Sequence, residues 1–435
     1  MIRAALAALL LLAAPAFAEV EVQEVTSPGG IDAWLVEDHS IPFTALEIRF
    51  VPGAALDRAG KRGAVNLMAG LLEEGTGDLD AQGFAAARDA LAAGFAYDAS
   101  DDAVSVSARF LTENRDAAVD LLRRSLVEPA FTQEAVDRVR DQVLSIIASD
   151  ATDPGEVARK TWDALAHPDH PYGRPIVGTR DSVTGLTRDD IVQAHRDTLV
   201  RAGLHVSAVG DITPEALGAL LDELLGDLPA ESEAPMPGNA GWSIAPGVEV
   251  VEFDIPQSVI LFGHEGIERD DEDFFAAYVL THIFGGGGFE SRLMEEVRVE
   301  RGLTYGIGAY LVPREYAEAL VGQAASTNGA AAELVDVVRA EWGRVAQGVT
   351  EEELEEAKTY LTGAYPLRFD GNANIAQILV AMQMDGLSPD YIDTRNDRIE
   401  AITRDDIARV AEELYRPEDL SFVVVGQPEG LQPTN

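Results

Sequence analysis

The 435-residue chain contains no cysteine. Disulfides, thiol nucleophiles and cysteine-ligated metals are therefore excluded. Lysine is almost as scarce, limited to Lys61, Lys160 and Lys358. Positive charge as a whole is outweighed, with 33 basic residues against 75 acidic ones and a net charge of −42. A surface of that sign repels phosphate backbones and anionic lipid, which argues against nucleic acid as a partner. The same charge serves solubility, and it also attracts basic peptides. Long apolar runs are missing after the first residues. No later stretch approaches the roughly 20 residues that a membrane span requires.

The N-terminus is different. Arg3 supplies a positive charge, residues 4–14 are uniformly apolar, and Pro15 precedes the small-x-small triplet Ala16-Phe17-Ala18. This pattern predicts a cleavable signal peptide over residues 1–18 and a periplasmic or secreted product beginning near Glu19.

The rest of the chain repeats itself. Leu186-Thr187-Arg188-Asp189-Asp190-Ile191 and Ile402-Thr403-Arg404-Asp405-Asp406-Ile407 are near-identical. Each threonine is placed to cap a helix, with aspartates in the first turn where the helix dipole favours them. Each helix is followed by a short β-branched strand, over 205–209 and 421–425, ending at Gly210 and Gly426. Upstream, strands at 45–51 and 259–263 precede helices at 64–72 and 274–284. Gly94-Phe95-Ala96-Tyr97 pairs with Gly302-Leu303-Thr304-Tyr305. Strands at 104–110 and 319–325 follow, then helices from about 115 and 330, then long acidic helices at 133–149 and 351–365. Recurrence of many elements in one order is the mark of duplication. The spacing predicts an α+β protein of two tandem homologous α/β-sandwich domains, 19–228 and 248–435. A proline- and glycine-rich linker at 229–247 joins them.

Two segments carry chemistry. The first is Gly63-Ala64-Val65-Asn66-Leu67-Met68-Ala69-Gly70, followed by Gly75-Thr76. The second is the run Gly285-Gly286-Gly287-Gly288, leading into Glu296-Val297-Arg298 and Gly302-Leu303-Thr304-Tyr305. No Gly-Lys-Ser/Thr follows the glycines, so a nucleotide loop is excluded. Glycine there tolerates left-handed backbone and admits another chain closely. From spacing alone, Arg298 could equally form a local ion pair with Glu295 or Glu296, and Tyr305 could be core. His167 and His170, in His-Pro-Asp-His, read as a turn. The other five histidines are isolated.

Across essentially the whole mature chain the sequence resembles the pitrilysin/insulinase-type zinc metallopeptidases, which include the mitochondrial processing peptidase. The family carries His-x-x-Glu-His on the first of these helices and a glutamate ligand on a later one. The corresponding positions here hold Asn66, Ala69, Gly70 and, counting back from Asp153-Pro154, Ile146. The resemblance therefore implies a metallopeptidase clamshell half with a degenerate zinc site. The glycine run with Arg298 and Tyr305 matches the family's second domain. There the glycines 285–288 would border the substrate, and the Arg/Tyr pair would bind the peptide backbone and stabilise an oxyanion at a partner's site. The resemblance thus implies a heterodimer: a non-catalytic chain holding unfolded peptide, with zinc in a homologous partner and no cofactor of its own. The peptide is expected to add as a strand to an exposed edge at 104–110. A peptide-binding or scaffold protein without proteolysis is the alternative.

Overall fold

The computed structural model describes residues 20–434, so the expected signal peptide lies outside the described residues. The first domain is built on six strands: β1 (Gln23–Thr26), β2 (Asp32–Glu37), β3 (Phe43–Phe50), β6 (Gly94–Ala99), β7 (Val104–Leu111) and β8 (Leu204–Gly210). Their order is β1-β2-β8-β3-β7-β6. A small ribbon of β4 (Gly75–Thr76) and β5 (Leu79–Asp80) stands apart. The second sheet contains β9 (Gly247–Glu252), β10 (Gln257–Glu265), β11 (Ile307–Pro313), β12 (Glu318–Thr327) and β13 (Ser421–Gly426), in the order β11-β12-β10-β13-β9. Taken from its other end, this sheet repeats β2-β8-β3-β7-β6 strand for strand. In each sheet one pair is parallel, β2 with β8 and β9 with β13. The duplication is thus one of topology as well as sequence, with β1 added to the first copy.

Helices of the first domain are α1 (Ala64–Leu71), α2 (Ala81–Ala90), α3 (Arg115–Val127), α4 (Gln133–Asp150), α5 (Pro154–Ala166), α6 (Arg180–Thr184), α7 (Arg188–Thr198) and α8 (Pro214–Leu225). Those of the second are α9 (Phe274–Thr281), α10 (Ala331–Val345), α11 (Glu351–Ala364), α12 (Asn372–Met384), α13 (Tyr391–Ala401) and α14 (Arg404–Leu414). The paired caps form as the sequence indicates. Thr187 accepts from the Asp190 backbone and Thr403 from Asp406, and each aspartate reaches back to the threonine N–H. No helix among the described residues is long and apolar enough to cross a membrane.

Two details differ from the sequence reading. Residues 104–110 are not an edge. β7 lies between β3 and β6, and the free edges of this sheet are β6 and β1. The buried–half-buried alternation along β7 marks which face meets the core, but carries no signal for which strands lie alongside. The pairing of Gly94–Tyr97 with Gly302–Tyr305 is also offset. Tyr97 lies within β6, whereas Tyr305 precedes β11 in a loop.

One face of each sheet packs on its own helices. Leu46, Ile48 and Phe50 of β3 meet Leu67, Met68 and Leu71 of α1 in one core. Ile260 and Phe262 meet Val338 and Trp342 in the other. The opposite face is covered by a helix from the other domain. Ala376, Leu379 and Met382 of α12 pack on Trp34, Ala45 and Val209 of the first sheet. Ser207 Oγ donates to the Ala376 carbonyl at 2.6 Å, and Gln383 Nε2 to that of Val206 at 2.9 Å. Reciprocally, Ala158, Trp162 and Ala166 of α5 cover Val423 and Val425 of β13. Between α8 and β9 the chain has no regular structure, yet it is not loose. Trp242 stacks edge-on against Trp162 at 5.8 Å, and the Ser243 N–H donates to the Ala166 carbonyl at 2.9 Å.

Leu379 is fully buried at this crossing. Leu379→Ala should lower unfolding free energy by about 2–5 kcal/mol, read from the urea midpoint. A loss below about 0.5 kcal/mol, the size expected of an ordinary surface position, would contradict the exchange of helices as a stabilising contact.

Candidate functional site

The first element of the site is α1. Its start is fixed by Gly63, at φ 98°, and by Asp57, whose carboxylate accepts from the Gly63 N–H at 2.8 Å and the Val65 N–H at 2.9 Å. Val65, Leu67, Met68 and Leu71 face the core. Of the motif positions, Asn66 is half-buried, Ala69 buried and Gly70 exposed. Helix α4 passes close by. A Cβ on Gly70 would meet Val139 Cγ1 at 3.4 Å. Ile146 projects two turns further along the same face of α4 and is 48% exposed. The fold thus keeps these two helices side by side, as the motif requires, while the side chains on them are inert. The neighbouring carboxylates are engaged elsewhere, Glu73 with Arg88 at 3.4 Å and Glu74 with Arg138.

The second element lies in the second domain. Past α9 the helix widens over His282–Gly286 and is closed by the Gly287 N–H, which donates to the His282 carbonyl at 2.8 Å. The four glycines do different things. Gly285 is buried, and a Cβ there would sit 2.6 Å from the Ala309 backbone nitrogen of β11, so glycine is needed for packing. Gly286 and Gly287 are half-buried, and Gly288 is exposed with φ 61°. A second wide turn, Met294–Glu300, then buries Met294 and Val297 and leaves Arg298 half-buried.

Arg298 does not form the local ion pair that spacing alone allows. Glu296 is taken by Arg301 and by Arg344 at 3.0 Å. The Arg298 guanidinium instead lies 4.4 Å from the ring centroid of Phe289, itself 64% exposed. Tyr305 is not core either, being 86% exposed. Its loop is nevertheless firmly held. The buried Thr304 hydroxyl bonds to the carbonyls of Ala325 at 2.7 Å and Gly306 at 2.9 Å, and accepts from the Gly306 N–H at 3.1 Å.

Residues 185–361 match the family model described as the peptidase M16 inactive domain. A non-peptidase homolog, YmxG of Helicobacter pylori, is 26% identical over 393 residues, covering 89% of this chain and 90% of its own. An uncharacterized zinc protease of Streptomyces coelicolor is 26% identical over 410 residues, 92% of this chain and 89% of its own. Among solved structures, a peptidase M16 inactive domain from Pseudomonas fluorescens superposes with a TM-score of 0.86 at 24% identity, over 95% of this chain and 99% of that one. The chain is thus similar to M16 peptidases and to their inactive homologues. M16 peptidases are the zinc metallopeptidases that the sequence motifs resemble.

This M16 homologue does not fit the metal. Zinc takes thiolate, imidazole and carboxylate ligands. An amide, a methyl group, a bare backbone and an exposed isoleucine supply none of these. Among the described residues no group of three or more acidic or histidine side chains is arranged to hold a metal ion. His167 and His170 are buried in structural roles, the first bonded to the Gly241 carbonyl at 2.7 Å, the second accepting from the Tyr172 N–H at 3.2 Å.

Sequence reading missed Phe289 as the platform for Arg298 and Asp57 as the anchor of α1. An exposed phenylalanine nine residues before the arginine was the available signal for the first. For the second there was none, because Asp57 reaches α1 through a loop. Burial pushes the Asp57 carboxyl up to about 6. The folded chain then holds a proton that the unfolded chain releases above 3.8. The contribution of this group is therefore full at low pH and lost as pH rises through about 6. The stability difference between wild type and Asp57→Asn should be most in favour of wild type near pH 4 and shrink towards pH 7. A difference independent of pH over that range contradicts the burial of a protonatable carboxyl at the foot of α1.

Proposed function

We propose that this M16 homologue is the non-catalytic subunit of a two-chain zinc peptidase, working in the periplasm or outside the cell. It binds unfolded peptide, and Arg298 and Tyr305 act on the zinc site of a homologous partner that carries the intact motif. The observation that carries this reading is the state of the pair itself. Arg298 has no carboxylate partner among the described residues and Tyr305 is 86% exposed, yet both sit on backbone that is tightly fixed. Side chains so placed add little to the stability of their own chain. They are preorganised hydrogen-bond donors, the chemistry that stabilises negative charge developing on a peptide carbonyl when water attacks.

Other features support the same reading. The inert face of α1 gives the chain no base or ligand of its own. Strand β6, a free edge, offers N–H and C=O groups to an extended peptide, replacing the interior strand β7 in that role. The excess of 75 acidic over 33 basic residues favours basic peptides approaching by electrostatic attraction.

The test mixes this chain with a homologue that carries His-x-x-Glu-His and follows hydrolysis of an unfolded peptide. Arg298→Ala in this chain should lower kcat by roughly 10²–10³-fold, the loss typical of one oxyanion donor. Tyr305→Phe, which removes only the hydroxyl, should act in the same direction. Unchanged activity in the Arg298→Ala mixture contradicts the assignment. Peptide binding that persists with no hydrolysis in any mixture favours a binding protein without proteolysis.

A further inference from the structure

The second domain holds a cavity of about 600 Å³ that the reading above does not use. It lies between α9, the edge strand β11 and helices α12 and α13, with His282 and Gly286 at one end. Several aromatic rings line it, including Phe274, Tyr278, Tyr310 and Tyr391. Its charge is inverted relative to the chain. Acidic residues outnumber basic ones 75 to 33 overall, but this cavity is lined by Arg269, Arg368 and Arg395 against the single carboxyl of Asp385. Asp385 is already engaged by Arg269 at 3.3 Å, and burial pushes its carboxyl up, which weakens it as a counter-charge.

Two of the guanidiniums lack an acid. Arg395 is 5% exposed and bonds only to neutral groups, the Leu361 carbonyl at 3.1 Å and Asn396 Oδ1 at 3.0 Å, with its guanidinium 4.3 Å from the ring centroid of Tyr365. Arg368 is exposed and has no carboxylate partner among the described residues. A buried cation without a counter-ion is costly, so a cavity that holds one is primed for an anion. A second, independent observation points the same way. Tyr365, 6% exposed and also lining the cavity, has a buried hydroxyl with no hydrogen-bond partner. Natural interiors rarely leave such a group unpaired.

We propose that this cavity binds a carboxylate carried on an aromatic or aliphatic group. The carboxylate would be held by Arg368, Arg395 and the Tyr365 hydroxyl, and the apolar body would lie against the Phe274 and Tyr278 rings. Two sources present this chemistry, the carboxyl end of a peptide and a free fatty acid. The inference does not depend on the partner subunit, because binding is read on this chain alone.

Isothermal titration of the full mature chain with N-acetylphenylalanine, N-acetylphenylalanine amide and decanoate tests it. At least one carboxylate should bind, and the amide should bind roughly tenfold or more weakly than the acid, about the difference one charge-assisted hydrogen bond makes. Arg368→Gln, at an exposed position, should weaken the carboxylate to a similar extent. Tyr365→Phe should do so without lowering the melting temperature, since it deletes a hydroxyl the free chain leaves unpaired. Preference for N-acetylphenylalanine assigns the site to peptide ends, and preference for decanoate to acyl chains. Equal binding of acid and amide, wild-type affinity in both variants, or no binding of either carboxylate would overturn the proposal.

Discussion

Each sheet of this protein has two apolar faces but only one set of helices of its own. Standing alone, the first domain would expose Trp34, Ala45 and Val209, and the second Val423 and Val425. The chain resolves this by exchange. Helix α12 leaves the second domain to cover the first sheet, and α5 leaves the first to cover the second. Burial of apolar surface, at about 25 cal/mol per Å², therefore acts between the domains as well as inside them. Polar contacts accompany it. Arg314 of the β11–β12 hairpin pairs with Asp101 at 2.7 Å and lies 3.4 Å from the ring centroid of Tyr172. The two domains are in this sense one folding unit, and the position of α1 relative to the glycine loop is set by that packing.

Given this frame, the loss of metal-binding chemistry was structurally undemanding. Gly70 and Ile146 lie on exposed helix surface and Asn66 is half-buried, so these positions place few demands on the core, and at the buried Ala69 a small side chain suffices. The core-facing residues of the same helix, Leu67, Met68 and Leu71, remain buried and apolar. The second domain differs. Thr304 and Gly285 hold the loop and the glycine run in fixed geometry, which fits the use proposed above for Arg298 and Tyr305.

Much of the architecture was legible in the sequence because it is local. The repeated Thr-Arg-Asp-Asp caps fix α7 and α14, and the strands that follow are marked by β-branched residues. What the sequence hid is what depends on neighbours. Alternation along residues 104–110 gives a buried face but not a place in the sheet, so an interior strand was read as an edge. The exchange of α5 and α12 was foreshadowed only by composition. Residues 375–382 are apolar on more than one face, the pattern of a helix buried on both sides, and Trp162 has its partner Trp242 far along the chain. The cavity beside β11 was equally hidden, since Arg269 lies 99 residues before Arg368 and 126 before Arg395.

The central claim is that this chain is half of a catalytic unit. The direct measurement adds it in steps to a fixed amount of a homologue bearing the intact zinc motif and follows peptide hydrolysis. The account predicts negligible hydrolysis by either chain alone and activity that rises linearly, with a plateau at one-to-one stoichiometry. Full activity of the zinc-bearing chain by itself, unaffected by this one, would contradict it.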